Sequence, residues 1–253
     1  MKPPINRMGG KSRLRKVIID KIPEHTCYVE PFFGAGWVYF GKKKSQVEVI
    51  NDIDKELVNL FRMLKEHPGE VERLLQYEFI SRDKFKSYKE CNTEELTEIQ
   101  RAVRYLYIIN NSFASKGVSF GYEALRTPCQ KIFVDDFQEI RDRLKNTFVE
   151  NKDALDVIKR YDRETTFFFC DPPYLDVTGY GNTFNEENHI KLRDALSNIK
   201  GKFLLSINDH QTIRELYKEF KIIEMSVPYS VSRERKARKG YAELLITNYE
   251  DKG

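Results

Sequence analysis

The sequence predicts an α/β fold that is interrupted by a mainly helical insertion. Residues 26–30 form a strand-like stretch that opens into a glycine turn, which is typical of half of a doubly wound sheet. Residues 70–150 are charged and helix-rich, and they add no clear strand–helix unit. The length of this segment is that of a small domain. The strand-and-helix pattern resumes at Thr166. We therefore predict a discontinuous sheet domain, residues 1–69 and 151–253, with residues 70–150 inserted.

The elements of the sheet domain follow from local signals. A short helix should begin at Trp37 after the glycine turn, and the next helix should end where Pro68-Gly69 follows it. Asn208-Asp209 has polar side chains that can cap the helix after them. The other expected elements are strands at 47–50, 166–170 and 202–207, helices at 55–67 and 186–199, and an antiparallel pair at 222–227 and 243–248.

Composition places the chain among ordinary globular proteins, with 40% apolar and 32% charged residues. No stretch is apolar for long enough to span a bilayer, and the basic N-terminal region lacks the apolar core of a signal peptide. We therefore expect a cytoplasmic protein with no membrane partner. The 4 cysteines include no Cys-x-x-Cys pair, which argues against a disulfide framework or a zinc site. A net charge of +4 is too small to indicate a polyanion partner by itself.

The most informative motif is Asp171-Pro172-Pro173-Tyr174. It follows an apolar run that reads as a buried strand, and two prolines cannot continue a central strand. The chain therefore leaves the sheet at its carboxyl edge, where open α/β sheets bind ligands. The motif displays a carboxylate, rigid backbone carbonyls and an aromatic ring, which suit the task of holding a flat heterocycle by its amino group. A simple strand-terminating turn is the alternative.

A second motif predicts a nucleoside site. Gly34-Ala35-Gly36 follows a strand, and Asp52, which ends the next strand, can accept hydrogen bonds from ribose hydroxyls. Tyr39 occupies the place of a third glycine, which favours a nucleoside without a pyrophosphate, such as S-adenosylmethionine. Asp52 also fits a helix N-cap. Lys11, in Gly-Gly-Lys, can bind the methionine carboxylate as a point charge.

Together these motifs resemble those of the Dam-type (D12 class, alpha-group) DNA adenine methyltransferases. The matching residues are 9–11 (Gly-Gly-Lys), 30–36 (Glu-Pro-Phe-Phe-Gly-Ala-Gly), 51–52 (Asn-Asp), 171–174 (Asp-Pro-Pro-Tyr), 206–210 (Ser-Ile-Asn-Asp-His) and 243–248 (Glu-Leu-Leu-Ile-Thr-Asn). The resemblance implies a seven-stranded Rossmann-like methyltransferase sheet, with residues 70–150 as a target-recognition domain. It also implies transfer of a methyl group from S-adenosyl-L-methionine to N6 of adenine, which yields S-adenosylhomocysteine and requires no metal.

The resemblance assigns roles to individual residues. Asp171, Pro172 and Tyr174 would serve a target adenine that is flipped out of the duplex, because the base cannot be reached inside it. The expected cofactor residues are Arg7, Lys11, Phe32, Gly34, Asp52 and Asp171. Arg7 stands near the place where the family usually has an aromatic residue, and its guanidinium could stack in that role.

The expected partner is double-stranded DNA, bound by a monomer or by a dimer on DNA. A basic segment and the end of the insertion supply candidate contacts, although basic runs are also typical of solvated loops. The DNA-binding candidates are Asn111, Ser112, Lys116, Arg126, Arg233, Arg235, Lys236 and Arg238. Residues 110–113 loosely resemble a loop of GATC-specific members. The motifs leave the recognised sequence open, and they do not distinguish restriction-modification from phage or regulatory roles.

Other functions remain open at the level of the sequence. Pro128-Cys129-Gln130 resembles the nucleophile motif of methyltransferases that act on carbon-5 of cytosine, although no buried strand precedes it. Methylation of RNA adenine is a further alternative, as is methylation of a protein glutamine, which Asp171 disfavours because those enzymes carry Asn. A non-catalytic DNA-binding protein on the same scaffold would not bind S-adenosylmethionine.

Overall fold

The structure is a computed structural model that divides the chain into two compact units. It describes residues 1–7, 9–121, 137–175, 184–227 and 241–250. The first unit consists of Met1–Lys11, Gly34–Gly41 and Asp52–Asn151, and the second of Ser12–Phe33, Lys42–Asn51 and Lys152–Gly253. The predicted inserted domain, residues 70–150, stays a prediction.

The described residues form one seven-stranded sheet of mixed direction. Its strands are β1 (Cys27–Glu30), β2 (Val47–Asn51), β3 (Thr147–Glu150), β4 (Thr166–Cys170), β5 (Lys202–Asn208), β6 (Lys221–Val227) and β7 (Tyr241–Thr247). Their order in the sheet is β3-β2-β1-β4-β5-β7-β6. The predicted α/β architecture with seven strands is therefore confirmed, including the antiparallel pair of β6 and β7 at one end.

α-Helices lie before and between these strands along the chain. They are α1 (Arg15–Asp20), α2 (Trp37–Gly41), α3 (Lys55–Glu66), α4 (Pro68–Leu75), α5 (Arg82–Glu90), α6 (Glu98–Asn110), α7 (Phe137–Leu144), α8 (Ala154–Tyr161), α9 (Glu186–Ser197) and α10 (Gln211–Leu216). Among the described residues, no helix has the length and apolar character needed to cross a membrane.

In the second unit, the central strands β1, β4 and β5 run parallel. Val29 of β1 is in register with Phe168 of β4, and Cys170 of β4 is in register with Leu205 of β5. Every residue of β4 is buried, as expected for a parallel strand covered on both faces. The segments that follow β1 and β4 therefore leave the sheet at the same carboxyl edge. Strand β7 runs antiparallel to β5, and its residue Glu243 pairs with Asn208 at that edge.

The core of the second unit holds this edge in place. Val29, Phe168 and Leu205 belong to one buried cluster with Val157 of α8 and Leu192 of α9. The interior is close-packed, so removing a ring such as that of Phe168 would cost about 3–5 kcal/mol of stability. The residues at the carboxyl edge thus stand on a rigid support.

The first unit is built around α3. Asp54 caps this helix by accepting hydrogen bonds from the backbone N–H groups of Glu56 and Leu57. The buried face of α3, which includes Leu60 and Leu64, packs against α6. The first unit thereby fixes the backbone that immediately follows Asp52.

The structure departs from the expected elements at several places. Pro68-Gly69 was expected only to end α3, but it also begins α4, in the first turn, where proline is tolerated. Strand β3 and helix α8 were also missed, since both are short. The predicted cap of α10 was wrong: His210 is its N-cap and accepts from the N–H of Thr212, whereas Asn208 still belongs to β5.

Candidate functional site

Asp52 lies directly after β2, and its carboxylate accepts two backbone hydrogen bonds. The N–H of Gly34 donates to Oδ2 at 2.8 Å, and the N–H of Asp54 donates to Oδ1 at 3.0 Å. An ionised carboxylate offers about four lone-pair positions, so it retains acceptor capacity for hydroxyl groups. Asp54 rather than Asp52 caps α3, so the alternative role of Asp52 as an N-cap is wrong. We call Gly34, Asp52, Asp54 and Arg7 the Asp52 cluster.

Gly34 has the backbone conformation that a close-approach turn requires. Its φ of +52° lies in the left-handed region, which side-chain-bearing residues rarely adopt. No described atom lies within 4 Å of the position that a Cβ would take at Gly34. The glycine therefore presents open space next to the Asp52 carboxylate, which suits a bound nucleoside.

Charge around Asp52 is balanced by Arg7. Burial raises the pKa of the Asp52 carboxyl above its ordinary value, while Arg7 and the two backbone donors act in the opposite direction. The Arg7 guanidinium donates to Oδ2 of Asp54 at 2.9 Å, and Tyr105 donates to the same oxygen at 3.1 Å. The structure thus places Arg7 in an ion pair beside Asp52, and its expected role in stacking stays a prediction.

Lys11, an expected cofactor residue, and Tyr39, in the turn motif, have defined surroundings in the first unit. Lys11 is buried, and its Nζ donates to the carbonyl of Gly9 at 3.1 Å. Tyr39, which replaces the third glycine of the turn motif, is a core residue whose hydroxyl donates to the carbonyl of Arg143 at 3.0 Å. A glycine is not needed at position 39, because α2 packs through this ring.

The Asp171 segment, residues 171–174, follows β4 at the carboxyl edge as predicted. Pro172 is buried, whereas Asp171 and Tyr174 are partly exposed. Phe32 leaves the neighbouring strand β1 at this edge and packs edge-on against Phe184, with ring centroids 5.7 Å apart. The second unit therefore places Phe32 and the Asp171 segment beyond the same ends of adjacent strands.

Tyr174 is held by an acidic side chain that had no expected role. Its hydroxyl donates to Oε1 of Glu243 at 2.7 Å. Ser206, on β5, donates to the same oxygen. Glu243 is buried on β7, and its carboxylate is satisfied in part by these two hydroxyl donors. Residue 243 stood in a matching motif, but only the strand order reveals its contact with residue 174.

A second missed residue, His189 of α9, lies against the Asp171 segment. It is fully buried and packs edge-on against Phe184, with ring centroids 4.7 Å apart. Burial lowers its pKa to about 4, and the nearby Pro173 carbonyl acts in the opposite direction. Neither ring nitrogen makes a hydrogen bond of normal geometry. His189 is therefore neutral near pH 7 and packs next to the Asp171 segment.

The DNA-binding candidates fall into two groups. Asn111 and Ser112 are buried, and they donate to the carbonyls of Tyr107 and Ile109 at the end of α6. They shape the loop after α6, and their contact with DNA stays a prediction, as does that of the exposed Lys116. The candidates that lie outside the described residues are Arg126, Arg233, Arg235, Lys236 and Arg238.

Metal ligation and thiol chemistry are distinct from the nucleoside contacts considered so far. Within the ranges that the structure describes, no three His, Cys, Asp or Glu side chains form a group that could hold a metal ion. Cys170, buried at the end of β4, has a pKa raised by burial and by the charges of Asp171 and Glu30. Its thiol is therefore suited to packing rather than to nucleophilic chemistry.

Comparison with known proteins found similarity to methyltransferases. The chain is 25% identical to Type II methyltransferase M1.LlaDCHI of Lactococcus lactis subsp. cremoris, covering 98% of this chain and 96% of that protein. It is 27% identical to Type II methyltransferase M.CviBI of Paramecium bursaria Chlorella virus NC1A, covering 86% of each. It is 25% identical to DNA adenine methylase of Escherichia coli (strain K12), covering 94% of this chain and 91% of that protein.

The family comparison decides between the alternatives for the target base. The model of the D12 class N6 adenine-specific DNA methyltransferases matches residues 8–231, which is most of the chain. The cytosine alternative rested on Cys129, which lies outside the described residues, and the match to an adenine-specific family replaces it. The chain belongs to the family of D12 class N6 adenine-specific DNA methyltransferases.

Proposed function

We propose that this chain methylates N6 of adenine in double-stranded DNA, with S-adenosyl-L-methionine as donor and the target base flipped out of the duplex. The observation that carries the proposal is the Asp171 segment, which leaves a buried parallel strand at the carboxyl edge of the sheet. Ligands of open α/β sheets bind at this edge. Mapping the methylated positions in DNA would identify the recognised sequence.

The Asp52 cluster fits the nucleoside part of the donor. Asp52 retains acceptor positions for ribose hydroxyls, and the backbone at Gly34 leaves open space beside it. Lys11 would bind the methionine carboxylate, and Phe32 would pack against the adenine ring of the donor. The positive charge of Arg7 would oppose the rise in the pKa of Asp52 that burial causes, and so favour the ionised carboxylate. When bound, S-adenosyl-L-methionine supplies a methyl group carried on a positively charged sulfur.

Asp171 would prepare the nitrogen that is methylated. The amino nitrogen of adenine is a poor nucleophile because its lone pair is delocalised into the ring. When the Asp171 carboxylate and the Pro172 carbonyl accept its two hydrogens, the nitrogen becomes more pyramidal and its lone pair more localised. The nitrogen must also lose one proton, which the Asp171 carboxylate would accept. A preorganised group of this kind is worth about 10²–10³ in rate.

Tyr174 would hold the flipped base by stacking. Flipping costs a few kcal/mol, and stacking on an aromatic ring returns about 1–3 kcal/mol per base. Phosphate contacts from basic side chains would supply the remaining affinity. The inserted region, residues 70–150, would read the target sequence, with Lys116 and Arg126 among the contacts.

The proposed setting is the cytoplasm of a bacterium, on bacterial or phage DNA. We propose that the enzyme acts as a monomer, with a dimer on DNA as the alternative. Light scattering of the purified chain with and without a duplex distinguishes these states. No catalytic step in the proposal requires a metal ion, because methyl transfer from a sulfonium needs no Lewis acid.

The test is to incubate the purified chain with methyl-labelled S-adenosyl-L-methionine and mixed-sequence duplex DNA, and then to digest the DNA and identify the labelled nucleoside. We expect N6-methyladenosine in its deoxy form, at one sequence that can be mapped. Label in 5-methylcytosine would contradict the proposal. Label in RNA but not in duplex DNA would support the RNA alternative. A thermal shift with S-adenosyl-L-methionine separates an enzyme from a non-catalytic scaffold, which would show none.

A further inference from the structure

We propose that Glu243 is a positioning residue that fixes the plane of the Tyr174 ring for stacking on the flipped adenine. This inference rests on the proposed function, because it assigns the tyrosine to the target base. It goes beyond that function by naming the side chains that hold the tyrosine: Glu243 of β7 and Ser206 of β5.

The contact between Tyr174 and Glu243 is a hydrogen bond to a buried carboxylate. A buried carboxylate is costly unless hydrogen-bond donors satisfy it. Glu243 is buried, and Oε1 accepts from the hydroxyls of Tyr174, at 2.7 Å, and of Ser206. Hydrogen bonds to an ionised acceptor are short and strong, so they restrict the geometry of both partners. The tyrosine hydroxyl is thereby anchored at the far end of its ring.

The hydrogen bond at the hydroxyl limits the rotational freedom of the Tyr174 side chain. Tyr174 follows two prolines, so the backbone on its N-terminal side has fixed φ angles. A tyrosine side chain then retains rotation about its two side-chain bonds, and a hydrogen bond at the hydroxyl limits both. Stacking depends on the plane of the ring, and displacement by about 1 Å of a group near the chemistry can cost about 10²-fold in rate.

Glu243 is itself held in place by strand pairing on both sides. It lies at the start of β7, paired with Asn208 of β5 on one side and with Met225 of β6 on the other. Asn208 also donates from its side chain to the carbonyl of Leu175, at 3.2 Å. Two neighbouring strands therefore hold the chain at Tyr174 and at the next residue, so Glu243 acts from a rigid position.

The experiment compares four variants in single-turnover methylation of the mapped duplex. Tyr174→Phe keeps the ring and removes only the hydroxyl, and Glu243→Leu removes the acceptor. We expect each to lower the rate about 10-fold, in line with the loss of a hydrogen bond to a charged group. Glu243→Gln retains an acceptor oxygen and should restore the rate to within about threefold of the wild type. The double variant Tyr174→Phe/Glu243→Leu should be no slower than either single variant.

Further readouts separate positioning from simple loss of stability. Fluorescence of 2-aminopurine at the target position reports base flipping, and we expect a weaker signal in Tyr174→Phe and Glu243→Leu. The donor KM should be unchanged in these variants, while the turnover number falls. Thr247→Val is a matched control, because Thr247 is buried on the same strand and its hydroxyl bonds to the carbonyl of Tyr249. It should keep the wild-type rate even if its melting temperature falls.

The outcomes are distinct for the two proposals. If wild-type protein forms N6-methyladenine but Tyr174→Phe retains the full rate and flipping signal, the positioning role is overturned and the proposed function stands. Multiplicative losses in the double variant would also overturn it. If the wild-type protein forms no N6-methyladenine, the proposed function fails, and the positioning role fails with it.

Discussion

The Asp52 cluster and the Asp171 segment are held by different parts of the chain. Asp52 is fixed by backbone N–H groups of Gly34 and of Asp54, which belong to a turn and to a helix start. Tyr174 is instead fixed by a side chain from β7, which lies 69 residues away in the sequence. The Asp52 carboxylate is therefore positioned by backbone donors, whereas the position of Tyr174 depends on the strand order of the sheet.

This difference has a consequence for how each region tolerates change. Backbone donors cannot be removed by replacing a neighbouring side chain, so the hydrogen bonds of the Asp52 carboxylate should respond mainly to changes at Asp52 itself and at Gly34. The Asp171 segment is supported by Glu243 and His189, so changes at a distance in the sequence should alter it.

The largest effect is expected from Asp171→Ala. Removing the carboxylate takes away an acceptor for the adenine amino group, so the single-turnover rate should fall by about 10²–10³ or more. DNA affinity should change little, because phosphate contacts dominate it. Methylation assays and fluorescence anisotropy with a labelled duplex measure the two quantities. Appreciable turnover in Asp171→Ala would contradict its assigned role, whereas a parallel loss of DNA binding would indicate a structural role.

Asp52→Ala should act on donor binding. A hydrogen bond to a charged group contributes about 1.5–3 kcal/mol, so the donor Kd should rise about 10- to 100-fold. Burial raises the pKa of Asp52, so donor affinity in the wild type should begin to fall at a higher pH than for an exposed aspartate, as the carboxylate is protonated. Calorimetric titration from neutral to acidic pH measures this.

A matched control for that experiment is Asp153→Ala. Asp153 caps α8 through the N–H of Leu155, so its loss should cost about 1 kcal/mol of stability without changing the donor Kd. An unchanged Kd in Asp52→Ala would remove the ribose contact from the proposal.

His189 supports the Asp171 segment and should make stability depend on pH. Burial lowers its pKa from 6.5 to about 4, so between these values the unfolded chain binds more protons than the folded one. Stability should therefore fall on acidification, by about 2 kcal/mol between pH 7 and pH 5 from this group alone. Urea unfolding at the two pH values should show a smaller difference for His189→Leu. Equal differences in wild type and variant would rule out this contribution.

The sequence predicted the parts of the site that depend on local signals. The apolar run before Asp171 and the two prolines after it define a strand end, and both are visible without any tertiary contact. Gly34 and Asp52 were also identified from strand and turn patterns. The hydrogen bond between Gly34 and Asp52 joins the segments that follow two successive strands. Both strands are predicted by the sequence pattern, so the proximity of the two residues could be expected.

The supporting residues could not be predicted in the same way. Glu243 reaches Tyr174 only because β7 inserts between β5 and β6, and no local pattern specifies that order. His189 reads as an ordinary helical residue until the packing of α9 is known. The cap of α3 shows the limit on a smaller scale: Asp52 and Asp54 are both suitable acids, and the start of the helix at Lys55 selects Asp54.

The smallest effect is expected at Gly34, where the contrast between the two regions is sharpest. Gly34→Ala places a Cβ in open space, so no clash opposes it, but a φ of +52° costs an L-residue about 1–2 kcal/mol. If the turn keeps its shape, stability should fall by about this amount and the Gly34–Asp52 hydrogen bond should survive.

Gly69→Ala is the control. A Cβ added at Gly69 also meets no atom, the φ of Gly69 is outside the left-handed region, and the residue lies in helix α4. Replacing glycine there should stabilise the protein by about 0.4–1 kcal/mol. Denaturant unfolding of both variants measures the difference, and equal changes would show that backbone geometry at Gly34 does not hold the Asp52 cluster.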